Sequence, residues 1–198
     1  MAVPVKKYTR GSGLLENFLA KQRAGRADGL LKEELRQGRV LDIGCGTTPV
    51  FLLNTRFSTK HGIDPAIVTS RDNAGLKLLP LGVNRNTCLP FPDAFFAAIV
   101  TLGTVEHFDD ELWAHLLREA YRLLQDGGQL VFTTPGAGTY GFLKFLASMN
   151  MVSSQEIKGH IRSTDILLAS LQRAGFRKEN IRCGTFQLGL NRWFSALK

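Results

Sequence analysis

The chain alternates between short apolar runs and longer stretches in which apolar residues recur every three or four positions. The short runs are typical of buried parallel strands, and the longer stretches are typical of amphipathic helices. The clearest strand is the apolar run 97–102, and the clearest helix follows Asp109, a residue type that caps helices. Strands are predicted at about 39–43, 60–63, 82–85, 97–102, 129–134, 180–183 and 185–197, and helices after Ser12, at about 30–37, after Asp109 and at about 164–175.

This alternation predicts an α/β fold with a doubly wound parallel sheet and helices on both faces. The last two strands are predicted to form an antiparallel hairpin at one edge. No linker or internal repeat divides the chain, so we predict a single domain over 1–198. Its predicted parts are a helical cap at 1–37, a core at 38–134, a lid or acceptor segment at 135–163 that contains the apolar run 140–152, and a helix with antiparallel strands at 164–198.

The composition is that of a globular protein, since 44% of the 198 residues are hydrophobic and 21% are charged. No apolar run reaches the roughly 18–20 residues that a membrane span needs, and the amino terminus lacks the apolar core of a signal peptide. The three cysteines contain no C-x-x-C pair. This pattern predicts a cytoplasmic protein without a disulfide framework or a metal site.

The net charge of +8 raises the question of an anionic partner. The basic residues are spread along the chain, without a dense run and without an aromatic-interleaved strand. The sequence therefore carries no strong nucleic-acid signal, and a solvated basic surface is the preferred interpretation. A weak association with a membrane surface stays open, as does the oligomeric state.

The most informative motif is a glycine turn at the end of the first predicted strand. Asp42 precedes Gly44 and Gly46, two glycines one residue apart. Glycine lets the backbone turn sharply and lets a ligand approach the main chain, because no Cβ stands in the way. The next strand ends in Asp64 about twenty residues later, the spacing at which an α/β fold presents a carboxylate to a ribose. The pattern predicts a ligand that contains adenosine.

Pro49 distinguishes two classes of such ligands. In a dinucleotide-binding turn a third glycine stands at this position, and the helix that follows receives a pyrophosphate. Because this chain has proline there, a cofactor without phosphate is favoured. S-adenosylmethionine, with adenosine at one end and an amino acid at the other, meets that requirement.

Taken together, the motifs resemble those of the class I S-adenosylmethionine-dependent methyltransferases, above all the group that contains small-molecule and quinone-biosynthesis methyltransferases. The resemblance spans about 38–134 and is specific for fold and cofactor, but it says little about the methyl acceptor. The matching segments are, in chain order, Leu41-Asp42-Ile43-Gly44-Cys45-Gly46, Gly62-Ile63-Asp64, Leu89-Pro90-Phe91-Pro92-Asp93, Val105-Glu106-His107-Phe108, and the helix and turn from Leu116 to Gly128.

The resemblance implies a three-layer, mostly parallel sheet of seven strands in the order 3-2-1-4-5-7-6, with the last strand antiparallel. It implies that Asp42 lies near the ammonium group of the cofactor's methionine, and that Asp64 accepts hydrogen bonds from both ribose hydroxyls. Leu89 is implied to contact the adenine ring. The full set of implied cofactor-binding residues is Asp42, Gly44, Cys45, Gly46, Asp64, Pro65, Asn86, Leu89 and Leu102.

Two positions depart from the family pattern. The family commonly has an acidic residue four positions before the Leu-Pro-Phe segment, close to the adenine amino group, and this chain has Arg85 there. Asn86, beside it, is the substitute acceptor that we predict. The family also usually has Asp directly before the fourth strand, where this chain has Ala97.

Two histidines are candidates for the base that an oxygen acceptor requires, because imidazole titrates near neutral pH. His107 follows the fourth strand, at the edge where ligands bind in such sheets, and a structural role beside Glu106 is the alternative. His160 lies in a polar loop, and related methyltransferases often carry an acceptor-facing histidine before the helix that follows. Arg162 either holds an anionic group of the acceptor or is solvated.

The sequence therefore predicts S-adenosylmethionine-dependent methyl transfer to a small-molecule acceptor. The predicted acceptor is an oxygen nucleophile on an anionic, sugar or lipid-linked metabolite. Two alternatives stay open: an NAD-dependent oxidoreductase, and a non-catalytic protein that has kept the cofactor-binding fold.

Overall fold

The computed structural model describes residues 14–73, 75–136, 138–139 and 161–198. Its strands are β1 (Arg39–Ile43), β2 (Thr59–Ile63), β3 (Arg71–Asn73), β4 (Leu76–Leu79), β5 (Phe96–Leu102), β6 (Leu124–Pro135), β7 (Ile181–Phe186) and β8 (Asn191–Leu197). Its helices are α1 (Leu14–Leu30), α2 (Val50–Asn54), α3 (Asp110–Leu123) and α4 (Thr164–Arg173), and short 3-10 turns occur at Glu33–Gln37, Val105–His107 and Lys178–Asn180.

The described strands form one sheet in the order β3-β4-β2-β1-β5-β6-β8-β7. Strands β4, β2, β1, β5 and β6 are parallel, and β8 is antiparallel to both of its neighbours. Without β3 this is the predicted order 3-2-1-4-5-7-6 with an antiparallel last strand, so the predicted fold class is confirmed. The strand count differs from seven because β3 adds to the edge by pairing antiparallel with β4.

Helices cover the two faces of the sheet and bury a separate hydrophobic core on each. Leu41 and Ile99 face the core that contains residues of α3 and α4, while Val40 and Val100 face the core that contains residues of α1 and α2. This alternation is the period of two that a strand imposes. All seven residues of β5 are buried, as the uniform apolar run predicted.

Helix α3 starts where the sequence predicted. The Asp109 side chain accepts a hydrogen bond of 3.0 Å from the Leu112 backbone N–H, and this bond lowers the pKa of the Asp109 carboxyl. Ser163 caps α4 in the same way through the Ile166 N–H, at 3.3 Å. None of the described helices is long and apolar enough to cross a membrane.

Three predicted elements differ from the structure. The helix predicted over 30–37 is wrong, because α1 itself extends to Leu30 and only a 3-10 turn follows. The strand predicted near 82–85 is wrong, since the chain there is irregular and the paired strand is β4, which ends directly before Pro80. The strand predicted over 185–197 begins only at Asn191, after a turn. The Ser12 cap and the apolar run 140–152 lie outside the described residues.

Candidate functional site

The glycine turn after β1 lies at the edge where the parallel strands end, and it is bonded to the end of β2. The Gly44 N–H donates to the Ile63 carbonyl at 2.8 Å, and the Cys45 N–H donates to the same oxygen at 3.3 Å. These bonds follow from the in-register pairing of β1 with β2. The turn is therefore held in a fixed position beside Asp64, the residue that follows β2.

Asp64 connects the two strand ends through its carboxylate. Oδ2 accepts a 2.9 Å hydrogen bond from the Gly46 N–H, and Oδ1 accepts a 2.8 Å bond from the Ala66 N–H. An ionised carboxylate has about four acceptor positions, so about two remain for a ligand. Because both oxygens are already oriented by backbone donors, the carboxylate meets a ligand in a preset geometry.

The two glycines of the turn serve different purposes. Both have positive φ, +77° at Gly44 and +71° at Gly46, a conformation that favours glycine. A Cβ on Gly44 would lie 2.5 Å from the Thr104 Oγ1, so the protein itself fills that space. A Cβ on Gly46 would meet nothing within 4 Å. Gly46 is therefore the position at which a ligand can lie against the backbone.

A narrow cleft of about 20 Å³ opens beside this turn, room for one or two water molecules. Buried Asp42 and Leu102 contribute to its wall, and one side chain of α1, Arg23, brings a positive charge to it. The cleft is thus lined by both charged and apolar side chains. Its lining residues are Ala20, Arg23, Ala24, Asp42, Gly44, Cys45, Val50, Phe51 and Leu102.

These observations fit S-adenosylmethionine. The carboxylate of Asp42 lies in the cleft and that of Asp64 beside the open space at Gly46, which matches a ligand with an ammonium at one end and ribose hydroxyls in the middle. The turn before α2 does not form the phosphate site of a dinucleotide-binding fold, since α2 begins after Pro49 and has only five residues. In the described part of the chain, no group of three or more side chains is arranged to hold a metal ion.

The other predicted cofactor residues lie farther from the cleft. Pro65 is exposed, and a Cβ on Gly82 would contact it at 3.5 Å. Asn86 is exposed in a turn closed by its own N–H, which donates to the Asn84 side chain at 3.0 Å. Leu89 is only 5% exposed and packs in the core shared with α3. The adenine contacts of Asn86 and Leu89 remain predictions.

The Leu89 segment is held by two charged residues of α3. The Glu119 carboxylate accepts a 2.8 Å bond from the Leu89 N–H, and Arg122 donates to the Leu89 and Phe91 carbonyls at 3.2 and 3.0 Å. The hydrogen bond from Arg122 to Glu119 lowers the pKa of Glu119, which keeps this buried carboxylate charged. The Leu89–Asp93 segment therefore has a structural role, attachment to α3, in addition to any contact with a ligand.

The turn after β5 carries His107 and is fixed by Arg162. The Arg162 guanidinium donates to the Val105 and Phe108 carbonyls at 3.2 and 2.6 Å and to Asp110 at 2.8 Å. Arg162 is only 5% exposed, so the interpretation of it as a solvated residue is wrong, and its role as a holder of an anionic acceptor stays a prediction. His107 itself is exposed. His160 lies outside the described residues.

Sequence reasoning missed two arginines at this edge. Arg23 reaches the cleft because α1 packs across the ends of β5 and β6, and no local motif around Arg23 signals this. Arg192 is 8% exposed and donates to the carbonyls of Pro135 and Arg162, at 2.8 and 2.7 Å. Burial lowers the pKa of Arg192. Both arginines contact residues that are far away along the chain, and hydrophobic periodicity reports only on near neighbours.

Comparison with known proteins agrees with this geometry. Residues 15–181 match the model of a family described as a methyltransferase domain. A solved structure from Thermotoga maritima, described as a SAM-dependent methyltransferase and possible histamine N-methyltransferase, superimposes with a TM-score of 0.64 at 20% identity, covering 90% of this chain and 89% of that one. That likeness concerns the fold.

Two curated relatives share part of the sequence. A probable tRNA methyltransferase 9B of Mus musculus is 34% identical over 105 residues, 51% of this chain and 22% of the relative. A 2-methyl-6-phytyl-1,4-hydroquinone methyltransferase of Oryza sativa is 29% identical over 132 residues, 61% of this chain and 36% of the relative. The matched part of the chain therefore spans only 22% and 36% of the length of these two relatives.

Proposed function

Because the chain belongs to the S-adenosylmethionine-dependent methyltransferases, with S-adenosylmethionine as its cofactor, we propose that it transfers the methyl group to a hydroxyl oxygen of a small molecule. The proposed acceptor is a metabolite of the sugar or lipid-linked class. When bound, the cofactor supplies a methyl group on a sulfonium, so the carbon–oxygen bond forms as the carbon–sulfur bond breaks and the hydroxyl proton passes to a base. The chain's part is to hold both molecules in line and to accept that proton.

One observation carries the cofactor half of the proposal: the Asp64 carboxylate bridges to the Gly46 N–H, beside open space. In the proposed complex the remaining acceptor positions of Asp64 bind the two ribose hydroxyls. Asp42 binds the methionine ammonium, and Gly46 lets the cofactor approach the backbone. Leu102 supplies an apolar wall of the cleft.

The charges around the site favour a small molecule over RNA. The described turns at the carboxyl ends of the strands carry exposed or half-buried carboxylates, such as Asp64, Asp109 and Asp110. Part of the positive charge lies elsewhere, since Arg177 lies with Lys198 at the opposite edge of the sheet. A nucleic-acid site requires basic groups that follow the phosphates. In the described part of this edge, Arg85 and Arg162 are paired with Asp109 and Asp110 instead.

The cofactor contacts are tested by calorimetry with S-adenosylmethionine. Asp64→Ala should weaken binding by about 1.5–3 kcal/mol, the scale of hydrogen bonds to a charged group. Asp72→Ala is the matched control, because Asp72 is an exposed carboxylate of β3 that pairs with Lys77 on the surface. If Asp64→Ala bound S-adenosylmethionine as tightly as the wild type, the proposal that Asp64 binds the ribose hydroxyls would be wrong.

The acceptor is tested with radiolabelled S-adenosylmethionine and three substrate pools: a metabolite extract, total tRNA and total protein. The proposal expects label in the metabolite pool alone. Label confined to tRNA, in keeping with the name of the mouse relative, or to protein would overturn the small-molecule acceptor. Binding of S-adenosylmethionine without transfer to any pool would favour the non-catalytic alternative, and binding of NAD in its place would favour the oxidoreductase.

The base is tested by comparing His160→Ala with His107→Ala. We propose His160 as the base, for which turnover should fall by about 10²–10⁴-fold while cofactor affinity stays nearly constant. His107 serves as the second candidate, because its turn lies at the ligand edge. His115→Ala is the control, since His115 lies on α3 and its ring contacts the Thr87 carbonyl at 3.2 Å. Normal turnover in both test variants would leave alignment as the mechanism.

A further inference from the structure

The turn between β7 and β8 holds an apolar side chain in solvent on a strained backbone. Gln187 and Leu188 both have positive φ, +52° and +56°, although neither is glycine. This left-handed region is unfavourable for a residue with a Cβ, above all for a bulky one such as leucine. Leu188 is fully exposed, so its side chain gains no burial that would offset the strain. Strain of this kind points to a role for Leu188 outside the fold.

The strained turn lies at the ligand edge of the sheet. Strand β8 is antiparallel to β6 and begins opposite Pro135, the last residue of β6. The Gly136 N–H donates to the Leu190 carbonyl at 2.8 Å, which fixes the turn beside the carboxyl end of β6. The proposed cofactor site lies at the same edge. A surface that contacts Leu188 would therefore face the side of the molecule where methyl transfer is proposed.

Helix α1 places a second exposed apolar side chain next to this turn. The Gln187 side chain donates to the Gln22 side chain of α1 at 3.0 Å. Phe18 stands four residues before Gln22, on the same face of the helix, and is 55% exposed. Leu188 directly follows Gln187 in the chain. Phe18 and Leu188 therefore occur in one corner of the molecule.

The same corner is basic. Residues 18–27 of α1 include three basic residues and no acidic one, and residues 181–198 also contain no acidic residue. Lys21 and Arg26 are exposed, and the Arg26 guanidinium lies 5.5 Å from the centroid of the Trp193 ring on β8. Apolar side chains among cations are typical of surfaces that bind anionic membranes. We define the docking corner as Phe18, Lys21, Arg26 and Leu188.

We infer that the docking corner binds the surface of an anionic phospholipid bilayer. Leu188 and Phe18 enter the acyl region, and the two cations lie at the headgroups. The exposed apolar side chains favour a bilayer over RNA, because contacts with phosphates need no apolar group. A bilayer in this position brings a lipid-linked acceptor to the ligand edge. That choice of acceptor class rests on the proposed function, whereas the docking corner itself does not.

The test is sedimentation of the full chain, without cofactor, with vesicles of phosphatidylcholine alone or of phosphatidylcholine mixed with phosphatidylglycerol. Wild type should bind the anionic mixture, and should bind phosphatidylcholine at least about 10-fold more weakly. Leu188→Asp should weaken binding to the mixture by about 10-fold or more, because an apolar contact is replaced by a charge. Lys21→Gln should weaken it by about 5-fold, the contribution of one cation near an anionic surface.

Leu53→Asp is the matched control. Leu53 is 58% exposed near the end of α2, which leads to the start of β2 and hence to the opposite edge of the sheet. This change should leave vesicle binding unaltered. Leu188→Asn checks the fold, because asparagine tolerates the left-handed region better than leucine. It should be at least as stable as wild type in thermal unfolding while binding the vesicles less tightly.

Several outcomes would overturn the docking corner. They are equal binding of wild type to both vesicle compositions, binding to neither, and normal binding by Leu188→Asp. A loss of stability in Leu188→Asn would assign Leu188 to the fold instead, and retention of the chain by tRNA but not by vesicles would identify an RNA partner. Because vesicle binding is measured without cofactor or acceptor, each of these outcomes leaves the proposed methyl transfer to its own test with radiolabelled S-adenosylmethionine.

Discussion

The two halves of the sheet are covered in different ways. Around β5, β6 and β8, helix α1 packs on one face and α3 and α4 on the other. Around β2 and β4, the short helix α2 packs on one face, and loops take the place of a helix on the other, since no helix occurs in the described connections from 64 to 73 and from 75 to 95. The proposed methionine cleft borders the helix-covered half, whereas the predicted nucleoside contacts come from the loop-covered half. The comparison predicts that side chains of the first half contribute more to stability than those of the second.

Aromatic side chains replace a helix in the loop-covered half. His61 on β2 is 6% exposed, and its ring lies 5.9 Å from those of Phe91 and Phe95 and 5.3 Å from that of Phe96. Arg39 lies over the Phe95 ring at 4.4 Å. The Leu89–Asp93 segment thus covers the sheet here, and its attachment to α3 through Glu119 makes that cover dependent on the other half.

The largest contrast is expected from removing one aromatic ring in each half. Phe132 on β6 is fully buried and stacks on Phe194 at 4.7 Å, so Phe132→Ala should lower the free energy of unfolding by about 3–5 kcal/mol. Phe95 is only partly buried, and Phe95→Ala should cost about 1–2 kcal/mol. Chemical denaturation measures both. Equal losses would contradict the distinction between the two halves.

The next largest contrast concerns two arginines. Arg162→Met leaves the Phe108 carbonyl without its guanidinium donor and the Val105 carbonyl with the Phe108 N–H at 3.3 Å, and we expect a loss of about 2–3 kcal/mol. Arg85 pairs with Asp109 and Glu111 on the surface, half exposed, so Arg85→Met should cost less than about 1 kcal/mol. The same denaturation experiment ranks them, and an Arg85 variant as unstable as the Arg162 variant would show that the loop depends on this surface pair.

A smaller, pH-dependent effect is expected from His61. Burial, with Lys77 and Arg39 nearby, lowers the pKa of His61 below its usual 6.5, so the unfolded chain binds a proton that the folded chain resists. Stability should therefore fall as the pH drops below about 6.5, by at most about 1.4 kcal/mol per pH unit for this one group. His61→Leu should flatten the unfolding free energy between pH 7 and 5, and His115→Gln, which keeps His61, should not. An unchanged pH profile in His61→Leu would contradict the assignment.

The smallest effect is expected at the outer edge. Lys77 and Asp72 connect β4 with β3 across 3.2 Å, and both side chains are largely exposed. Lys77→Ala should change the free energy of unfolding by less than about 1 kcal/mol. Thermal unfolding at low and high salt measures it, and a larger loss would mean that β3 stabilises the sheet more than its three residues suggest.

Local patterns in the sequence predicted the parts of the fold that depend on local structure. The apolar run of β5, the Asp109 cap and the glycine turn each follow from a few adjacent residues, and each is where the sequence placed it. The strand at 76–79 was missed because its four residues alternate too briefly to show a period, and Pro80 ends it.

Parts of the site that depend on distant contacts were not predictable in this way. Arg162 lies in a polar stretch of sequence, yet its guanidinium donates hydrogen bonds to carbonyls more than fifty residues away along the chain. Arg23 looks like one more surface charge until α1 is packed on the sheet. The resemblance supplied Asp42, Gly44 and Asp64 because the family pattern contains them.

The pair Gly38 and Ala97 has a consequence for how this chain has diverged. Ala97 stands where similar methyltransferases usually have Asp, and a Cβ on Gly38 would lie 2.5 Å from the Ala97 Cβ. A side chain at position 38 is therefore excluded while residue 97 carries one, because the two Cβ atoms would overlap. In evolutionary terms the two positions are epistatic: glycine at 38 leaves the space that the side chain of residue 97 occupies. A relative with a side chain at position 38 should therefore have glycine at the position of Ala97 or a different path of the chain before β1.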